Sequence, residues 1–286
     1  MKRNLVYLAA ILICAGLFAL FVFGAAHQTD SQPPEITFPA EIPELSALEP
    51  RDAFLQGVTA HDDVDGDVTE SLVVASVRLL DQEGTVQVHY AAFDAAGNVA
   101  QATRQGVYTD YENPRFSLST SLTFADNSNF DVFDVVRAAD MLDGDISHRI
   151  RICSVDDAPI SGIGVHEVEL KTSNSLGGTA SLVVPVEVYA AGTYDAALTL
   201  KDYLVYLPAD ESLDAESYLK SYSRAGTERS LENGMPRGYT LEMKNNVQTG
   251  VPGVYTVEYR VSETVGAGDG ARVYTGYAKL IVVVEG

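Results

Sequence analysis

Residues 60–69 read AHDDVDGDVT, and residues 138–147 read AADMLDGDIS. The two segments begin 78 residues apart and share an alanine, an aspartate and the triplet Asp-Gly-Asp at matching positions. A segment that recurs at such a spacing indicates one structural unit written more than once along a chain. The fold is therefore predicted from this unit outward.

A strand pattern follows each copy, and a third instance occurs without the acidic segment. Residues 86–92, 166–172 and 255–261 each begin two residues after a glycine. In each segment, positions that would face a core alternate with polar or charged positions. This period of two is typical of a strand with one face on a core and the other in water. Turn residues at 94–98 and 174–178 then predict hairpins with return strands at 99–108 and 179–188.

Proline and turn-forming residues separate the units, and each unit has the length of a small antiparallel sandwich. We therefore predict an all-β protein of tandem immunoglobulin-like antiparallel β-sandwiches that follow one N-terminal transmembrane helix. The predicted segments are an anchor at 1–27, a linker at 28–34, modules at 35–110 and 111–190, and a divergent third module at 191–286.

The N-terminus predicts the location of the protein. Lys2 and Arg3 precede an uncharged, mostly apolar run at residues 5–26. As a helix this run would reach roughly 33 Å, enough to cross a bilayer as a signal anchor. The two cations favour a cytoplasmic N-terminus, so the prediction is a single-pass protein of the cell membrane with its C-terminal part outside the cytoplasm. A cleaved signal peptide ending near residues 24–26 is the alternative.

Charge and cysteine content restrict the partners and the means of stabilisation. The chain holds 19 Lys and Arg against 40 Asp and Glu, a formal charge of −21. Nucleic acid would be repelled by this charge. Cys14 lies in the apolar run, which leaves Cys153 without a partner for an intrachain disulfide outside it. Each module must then be stable through its core.

The acidic segment and the hairpin together resemble a known family. Residues 57–69 and the hairpin residues 94–98 look like those of bacterial immunoglobulin-like surface domains, the type found in one class of pesticidal crystal proteins and related to the hyalin repeat. The second unit has Asn174 in place of the hairpin aspartate, and the third lacks Asp-Gly-Asp. The resemblance implies an architecture used for spacing, adhesion or ligand display rather than for catalysis.

The clustered acids are candidate calcium ligands, because hard oxygen ligands at alternate positions around a glycine bend suit Ca²⁺. The candidates in the two acidic units are Asp62, Asp63, Asp65, Asp67, Asp94, Asp140, Asp143 and Asp145. The alternative is that Asp-Gly-Asp only makes a tight turn whose carboxylates cap backbone amides. The spacing of the histidines matches no metal motif, and calcium is the one cofactor that the sequence suggests.

The third unit is the predicted partner surface, since interfaces favour tyrosine and arginine. The candidate residues in this region are Tyr218, Tyr222, Arg224, Arg229 and Arg237. The alternative is that the tyrosines belong to the core beside a solvated loop.

The predicted function is a stalk with a binding or adhesion surface for a protein or glycan at the bacterial cell surface. An accessory subunit of an envelope machine, for polysaccharide assembly or secretion, is the alternative. A hydrolase ranks third, because the acids sit in exposed turns where no apolar pocket would raise a carboxyl pKa. We therefore expect that the protein is not an enzyme.

Overall fold

The computed structural model describes residues 13–15, 17, 30–155 and 160–286. Ile13–Ala15 and Leu17 are helical, and the rest of the described chain is nearly all β, as predicted. The predicted membrane helix lies largely outside the described residues. Among the helices that are described, none has the length and apolar character needed to span a bilayer.

The chain forms two compact units. The first comprises Met1–Leu80 and Thr85–Thr109, and the second comprises Asp81–Gly84 and Asp110–Gly286. The finer division into three modules stays a prediction. Each unit has its own sheets and its own buried apolar residues.

The first unit contains a three-stranded sheet of order β1-β3-β4 and a four-stranded sheet of order β2-β7-β6-β5. The strands are β1 (Glu35–Thr37), β2 (Glu44–Leu45), β3 (Thr59–Asp62), β4 (Gly66–Asp67), β5 (Val73–Leu79), β6 (Thr85–Phe93) and β7 (Val99–Tyr108), with 3₁₀ turns at Arg51–Leu55 and Thr69–Ser71. Val86, Val88 and Tyr90 of β6 are buried, which confirms the period of two. The Tyr90 hydroxyl donates to the carbonyl of Phe54 at 3.1 Å, so the buried polar group is satisfied.

The second unit opens with the same arrangement, in sheets of order β11-β10-β8 and β12-β13-β14-β9. The elements are β8 (Arg115–Leu118), β9 (Thr123–Ala125), a short helix (Val132–Val135), β10 (Val136–Asp140), β11 (Gly144–Asp145), a 3₁₀ turn (Ser147–Arg149), β12 (Arg151–Ser154), β13 (Gly164–Ser173) and β14 (Thr179–Tyr189). The Asp131 carboxylate accepts from the amide of Phe133 at 2.9 Å and caps the helix.

A seven-stranded sheet completes the second unit, with order β18-β17-β15-β21-β20-β19 and β16 paired to β21. The elements are β15 (Ala196–Leu200), β16 (Leu204–Leu207), a 3₁₀ turn (Ala215–Tyr218), β17 (Leu219–Arg224), β18 (Thr227–Ser230), β19 (Tyr239–Asn245), β20 (Gly253–Val265), a 3₁₀ turn (Gly268–Gly270) and β21 (Arg272–Val284). The strand order of the earlier repeats recurs here, but β15 also pairs with β21 and joins the halves into one sheet.

Residues 276–282 of strand β21 are buried on both faces, because the face that carries Tyr277 and Lys279 packs against the β8–β14 part of the unit. The Lys279 side chain is 6% exposed and its ammonium group donates to the Glu187 carboxylate. The Tyr277 hydroxyl donates to the same carboxylate at 2.9 Å. The Ser121 hydroxyl accepts from the amide of Lys279 at 2.9 Å and donates to its carbonyl at 3.2 Å. These bonds join β21 to the β8–β14 part of the unit.

This buried ion pair gives a stability prediction. Replacing Glu187 with alanine leaves the Lys279 ammonium group buried without a charged partner, so we expect a loss of about 3 kcal/mol in the free energy of unfolding of the second unit. Urea unfolding of the full chain measures it. The control is Lys171→Ala, which breaks the ion pair between Lys171 and Glu169. The Lys171 side chain is 53% exposed. The effect of this control should be much smaller, and equal losses would contradict this account.

Candidate metal centre

The end of β3 turns sharply because of one buried side chain. Asp62 is 2% exposed, and its Oδ1 accepts from the amides of Val64 at 2.8 Å and Asp65 at 2.9 Å. Gly66 then adopts a φ of +78°, a left-handed conformation that glycine takes without strain. The aspartate and the glycine thus fix this loop locally, which was one of the two roles predicted for the acidic segment.

Four carboxylates converge on this loop. Asp30, Asp62, Asp65 and Asp94 each offer an oxygen, and these oxygens lie within 4.8 Å of one another. The residues come from the chain before β1, the end of β3, the turn into β4 and the turn after β6. Like charges this close repel one another, so the cluster costs free energy unless a cation balances it.

Hydrogen bonds hold two of the contributing segments in place. The Asp94 carboxylate accepts from the backbone and side-chain amides of Asn98, both at 2.7 Å. The side-chain amide of Asn98 also donates to the carbonyl of Asp30 at 3.1 Å. Asp65 Oδ2 accepts from the amide of Ala95 at 2.8 Å. The hairpin turn is therefore tied both to the acidic loop and to the chain before β1.

Two carboxylate oxygens in the cluster lack a donor. Asp62 Oδ2 and Asp30 Oδ2 are buried and have no hydrogen-bond partner among the described residues. A buried oxygen without a donor is destabilising, and for an ionised carboxylate the penalty is larger still. The amide of Gln32 lowers the pKa of Asp30, but burial and the charges of Asp62, Asp94 and Asp63 outweigh it, so this pKa is raised overall.

The dimensions of the cluster fit a calcium ion. Ca²⁺ binds six to eight oxygens at about 2.3–2.6 Å, so two oxygens on opposite sides of the ion are about 4.6–5.2 Å apart. The four oxygens all lie within 4.8 Å of one another, which is compatible with this range. The set also consists of carboxylate oxygens, the hard ligands that Ca²⁺ prefers. Asp30, Asp62, Asp65 and Asp94 could therefore hold Ca²⁺.

The equivalent loop of the second unit uses the same turn but supplies its own donors. Asp140 Oδ1 accepts from the amides of Leu142 and Asp143 at 2.9 and 3.0 Å. The side-chain amide of Asn174 donates to Asp140 Oδ2 at 3.0 Å and to the Tyr111 hydroxyl at 2.9 Å. Asn174 stands where the first unit has Asp94, so an amide donor replaces a carboxylate at this position.

The other acids of the second loop also have partners. Asp143 pairs with the Arg149 guanidinium at 2.6 Å and accepts from the amide and hydroxyl of Ser175 at 2.7 Å. Burial raises the pKa of Asp143, but these bonds and the Arg149 charge outweigh it and lower the pKa overall. Asp145 accepts from the amide and hydroxyl of Ser147, which lowers its pKa. This loop satisfies its carboxylates without an ion.

The predicted ligand set is thus only partly assembled. The structure brings Asp62, Asp65 and Asp94 together, whereas Asp63 and Asp67 lie outside the four-carboxylate cluster. Asp67 accepts from the amide of Thr69 at 3.0 Å. Sequence reasoning missed Asp30, which falls in the predicted linker. The signal that could have found it is an acid shortly before β1, since β1 pairs with β3 and reaches the same loop.

The predicted partner residues of the third region have mixed surroundings. Tyr222 is 1% exposed, donates to the carbonyl of Tyr274 at 3.1 Å and packs against Tyr239, so its prediction as a surface residue is wrong. The Arg224 guanidinium group donates to the Glu263 carboxylate at 2.6 Å and lies over the Tyr274 ring. Tyr218 is half-buried, and Arg229 and Arg237 are exposed. The core alternative thus holds for Tyr222.

These features define a class: an all-β protein of repeated sandwich-like sheets, with one acidic site in its first unit. No protein-family model matches the chain. It is 26% identical over 212 residues to the pesticidal crystal protein Cry22Aa of Bacillus thuringiensis, a match that covers 72% of this chain and 28% of that protein. The chain thus spans little more than a quarter of this relative, which supports the resemblance described above without establishing membership of a family.

Several solved structures are also similar at low identity. They include the CBM51-2 and INT domains of Clostridium perfringens ZmpB (16% identity, 88% of this chain, 41% of that chain, TM-score 0.21). Mouse cadherin-23 EC22-24 gives 12% identity, covers 89% of this chain and 99% of that chain, and has a TM-score of 0.20. TM-scores this low carry no argument about this protein.

The closed network of the second loop predicts a pH-dependent stability. Asp143→Asn removes the negative charge that pairs with Arg149 and accepts hydrogen bonds from Ser175. We expect a loss of about 1 kcal/mol in the free energy of unfolding at pH 7. Because folding lowers the pKa of Asp143, its contribution is present above the unfolded value of about 3.9 and is lost as the pH falls through the lower folded value.

Urea unfolding at pH 7 and near pH 3 measures the difference in the free energy of unfolding between the wild-type chain and Asp143→Asn. This difference should be smaller near pH 3. Asp210→Asn, at an exposed carboxylate of the same unit, is the control and should change stability less. A difference between wild type and Asp143→Asn that is independent of pH would contradict the charge argument.

Proposed function

We propose that this chain is a cell-surface binding protein in which a row of immunoglobulin-like modules stands outside the cytoplasm on an N-terminal membrane anchor, and in which the first module is stabilised by Ca²⁺. The apolar run at residues 5–26 supports the anchor. The repeated strand order supports the row of modules. The four-carboxylate cluster supports the metal ion, and we propose no catalytic role.

One observation carries the calcium proposal: a buried Asp62 oxygen faces other carboxylates without a donor. The equivalent oxygen of Asp140 receives the Asn174 amide in the same backbone turn. In the second unit this oxygen therefore has a donating partner. In the first unit the side chain in place of Asn174 is Asp94, which in its ionised form can only accept. A cation is the partner that satisfies these acceptors together.

The proposed ion has a structural role. It would join Asp30, which precedes β1, to the acidic loop and to the hairpin turn at Asp94, so that three separate segments share one ligand. Extracellular calcium modules bind with dissociation constants of about 10⁻⁴–10⁻³ M, which suits a protein exposed outside the cytoplasm. Calcium would therefore stiffen the entry to the first module, while a protein or glycan partner binds elsewhere along the row.

Titration of the full chain with Ca²⁺ tests this proposal. We expect a saturable rise in the melting temperature of the first unit, because an ion that binds only the folded state stabilises it by about 2.7 kcal/mol at one hundred times its dissociation constant. Calorimetry should give one site per chain, and Mg²⁺ should bind more weakly. Asp62→Asn and Asp94→Asn should each abolish the response, since both remove a ligand charge.

The matched control is Asp67→Asn, which makes the same chemical change in the same loop at a carboxylate outside the cluster. This variant should keep the calcium response. Asp94→Asn should also fold without calcium, because Asn174 occupies the equivalent position of the second unit. Absence of heat and of any thermal shift at millimolar Ca²⁺ would refute the calcium site, as would an equal response of all three variants.

A further inference from the structure

A groove of about 800 Å³ lies in the second unit, lined mainly by the turn before β17, the connection after β18 and strand β19. Its floor is apolar and includes the buried Leu219 and Leu231. Met235, Leu241 and Met243 also line it and are half-buried, so part of their apolar surface faces the groove. The other lining residues are mostly polar, so the groove combines an apolar floor with a polar rim, as binding sites commonly do.

The groove arises where the third repeat departs from the first two. The amide of Leu231 donates to the carbonyl of Lys220 at 2.9 Å, as Val68 does to Ala60 at 3.0 Å in the first repeat. In the first repeat a 3₁₀ turn, Thr69–Ser71, follows directly and leads into β5. In the third repeat the connection from Leu231 to β19 is longer and contains Pro236, so the two sheet edges are not joined by such a turn.

Strand β19, which lines the groove, is a sheet edge. It pairs with β20 and has no second neighbour among the described strands. The backbone groups of an edge strand that face away from its neighbour can pair with an added extended peptide. Main-chain bonds of this kind provide affinity, and pockets for alternate side chains provide specificity. An edge beside an apolar groove supplies both.

The negative charge of the groove's rim indicates which kind of partner segment it attracts. Asp214, Glu216 and Glu232 line the groove and are exposed, against the single cation Lys201 among the lining residues. A partner segment that carries lysine or arginine is therefore attracted. The whole chain has a formal charge of −21, so a second copy would be repelled as a whole. This argues for a different molecule as the partner.

We propose that this groove binds an extended segment of a partner protein that combines apolar with basic residues. The segment would add a strand to β19 and place its apolar side chains over Leu231, Met235 and Met243. Its basic side chains are long enough to reach the carboxylates of the rim. This site is independent of the calcium cluster, which lies in the other unit.

Fluorescence anisotropy with the full chain and two defined probes tests the site. The probes are labelled ten-residue peptides in which a central alternation of valine and threonine is flanked at each end by two lysines or by two glutamates, so that the valines share one face of the strand and the charged ends reach the rim. We expect saturable binding of the lysine peptide, weakened by salt, and at least tenfold weaker binding of the glutamate peptide. Equal affinities, or no binding of the lysine peptide up to about 1 mM, would overturn the proposal.

A matched pair of variants locates the bound peptide. Glu216→Lys reverses a charge on the rim, and Glu167→Lys makes the same change at an exposed position of β13 that does not line the groove. Glu216→Lys should weaken binding about fivefold or more, and Glu167→Lys less than twofold. Equal losses would show a general charge effect and overturn the location.

Hydrogen exchange provides a readout that depends on strand addition. Bound lysine peptide should slow amide exchange in β19, which is an edge strand in the free protein. The β5 edge of the first unit is the internal reference and should not change. Binding without added protection in β19 would overturn the strand-addition geometry.

Discussion

A buried aspartate that caps its own turn is the interaction on which both acidic loops depend. Asp62 and Asp140 each use one oxygen to accept two backbone amides, and this fixes the turn that carries the following glycine. The turn positions the next strand and brings the loop beside the hairpin that ends the repeat. Because each aspartate is buried, its second oxygen must also find a partner.

The two repeats meet this requirement differently, and one side chain makes the difference. Asn174 donates a hydrogen bond to Asp140, whereas Asp94 at the equivalent position adds another negative charge. The second loop is therefore a closed network of hydrogen bonds, and the first is a set of acceptors that suits a cation. The same backbone turn thus carries a closed hydrogen-bond network in one loop and a cluster of carboxylates in the other, so the chemistry belongs to the side chains rather than to the fold.

The third repeat lacks the acidic turn and differs from the first two in two further respects. Its strand β21 is bound to the preceding sheets through Lys279, Glu187 and Ser121, so these parts of the second unit form one compact body. Beside its longer connection before β19 lies a groove with an apolar floor and an acidic rim. The tyrosines that suggested a partner surface are partly core residues, since burial of Tyr222 stabilises the sheet and removes its ring from the surface. The groove is lined instead by residues close to these tyrosines in the sequence, such as Leu219 and Leu231.

The sequence by itself determined the strands, the hairpins and the repeat, because a period of two and local turn residues act over short distances. It also identified three members of the acidic cluster, Asp62, Asp65 and Asp94. Only the tertiary structure decided which carboxylates meet: strand pairing brings Asp30 to the loop and leaves Asp67 outside. It likewise decided that Asn174 and Arg149 satisfy the second loop. The reason is physical, since contacts between residues distant in sequence depend on sheet register and burial, which no local pattern encodes.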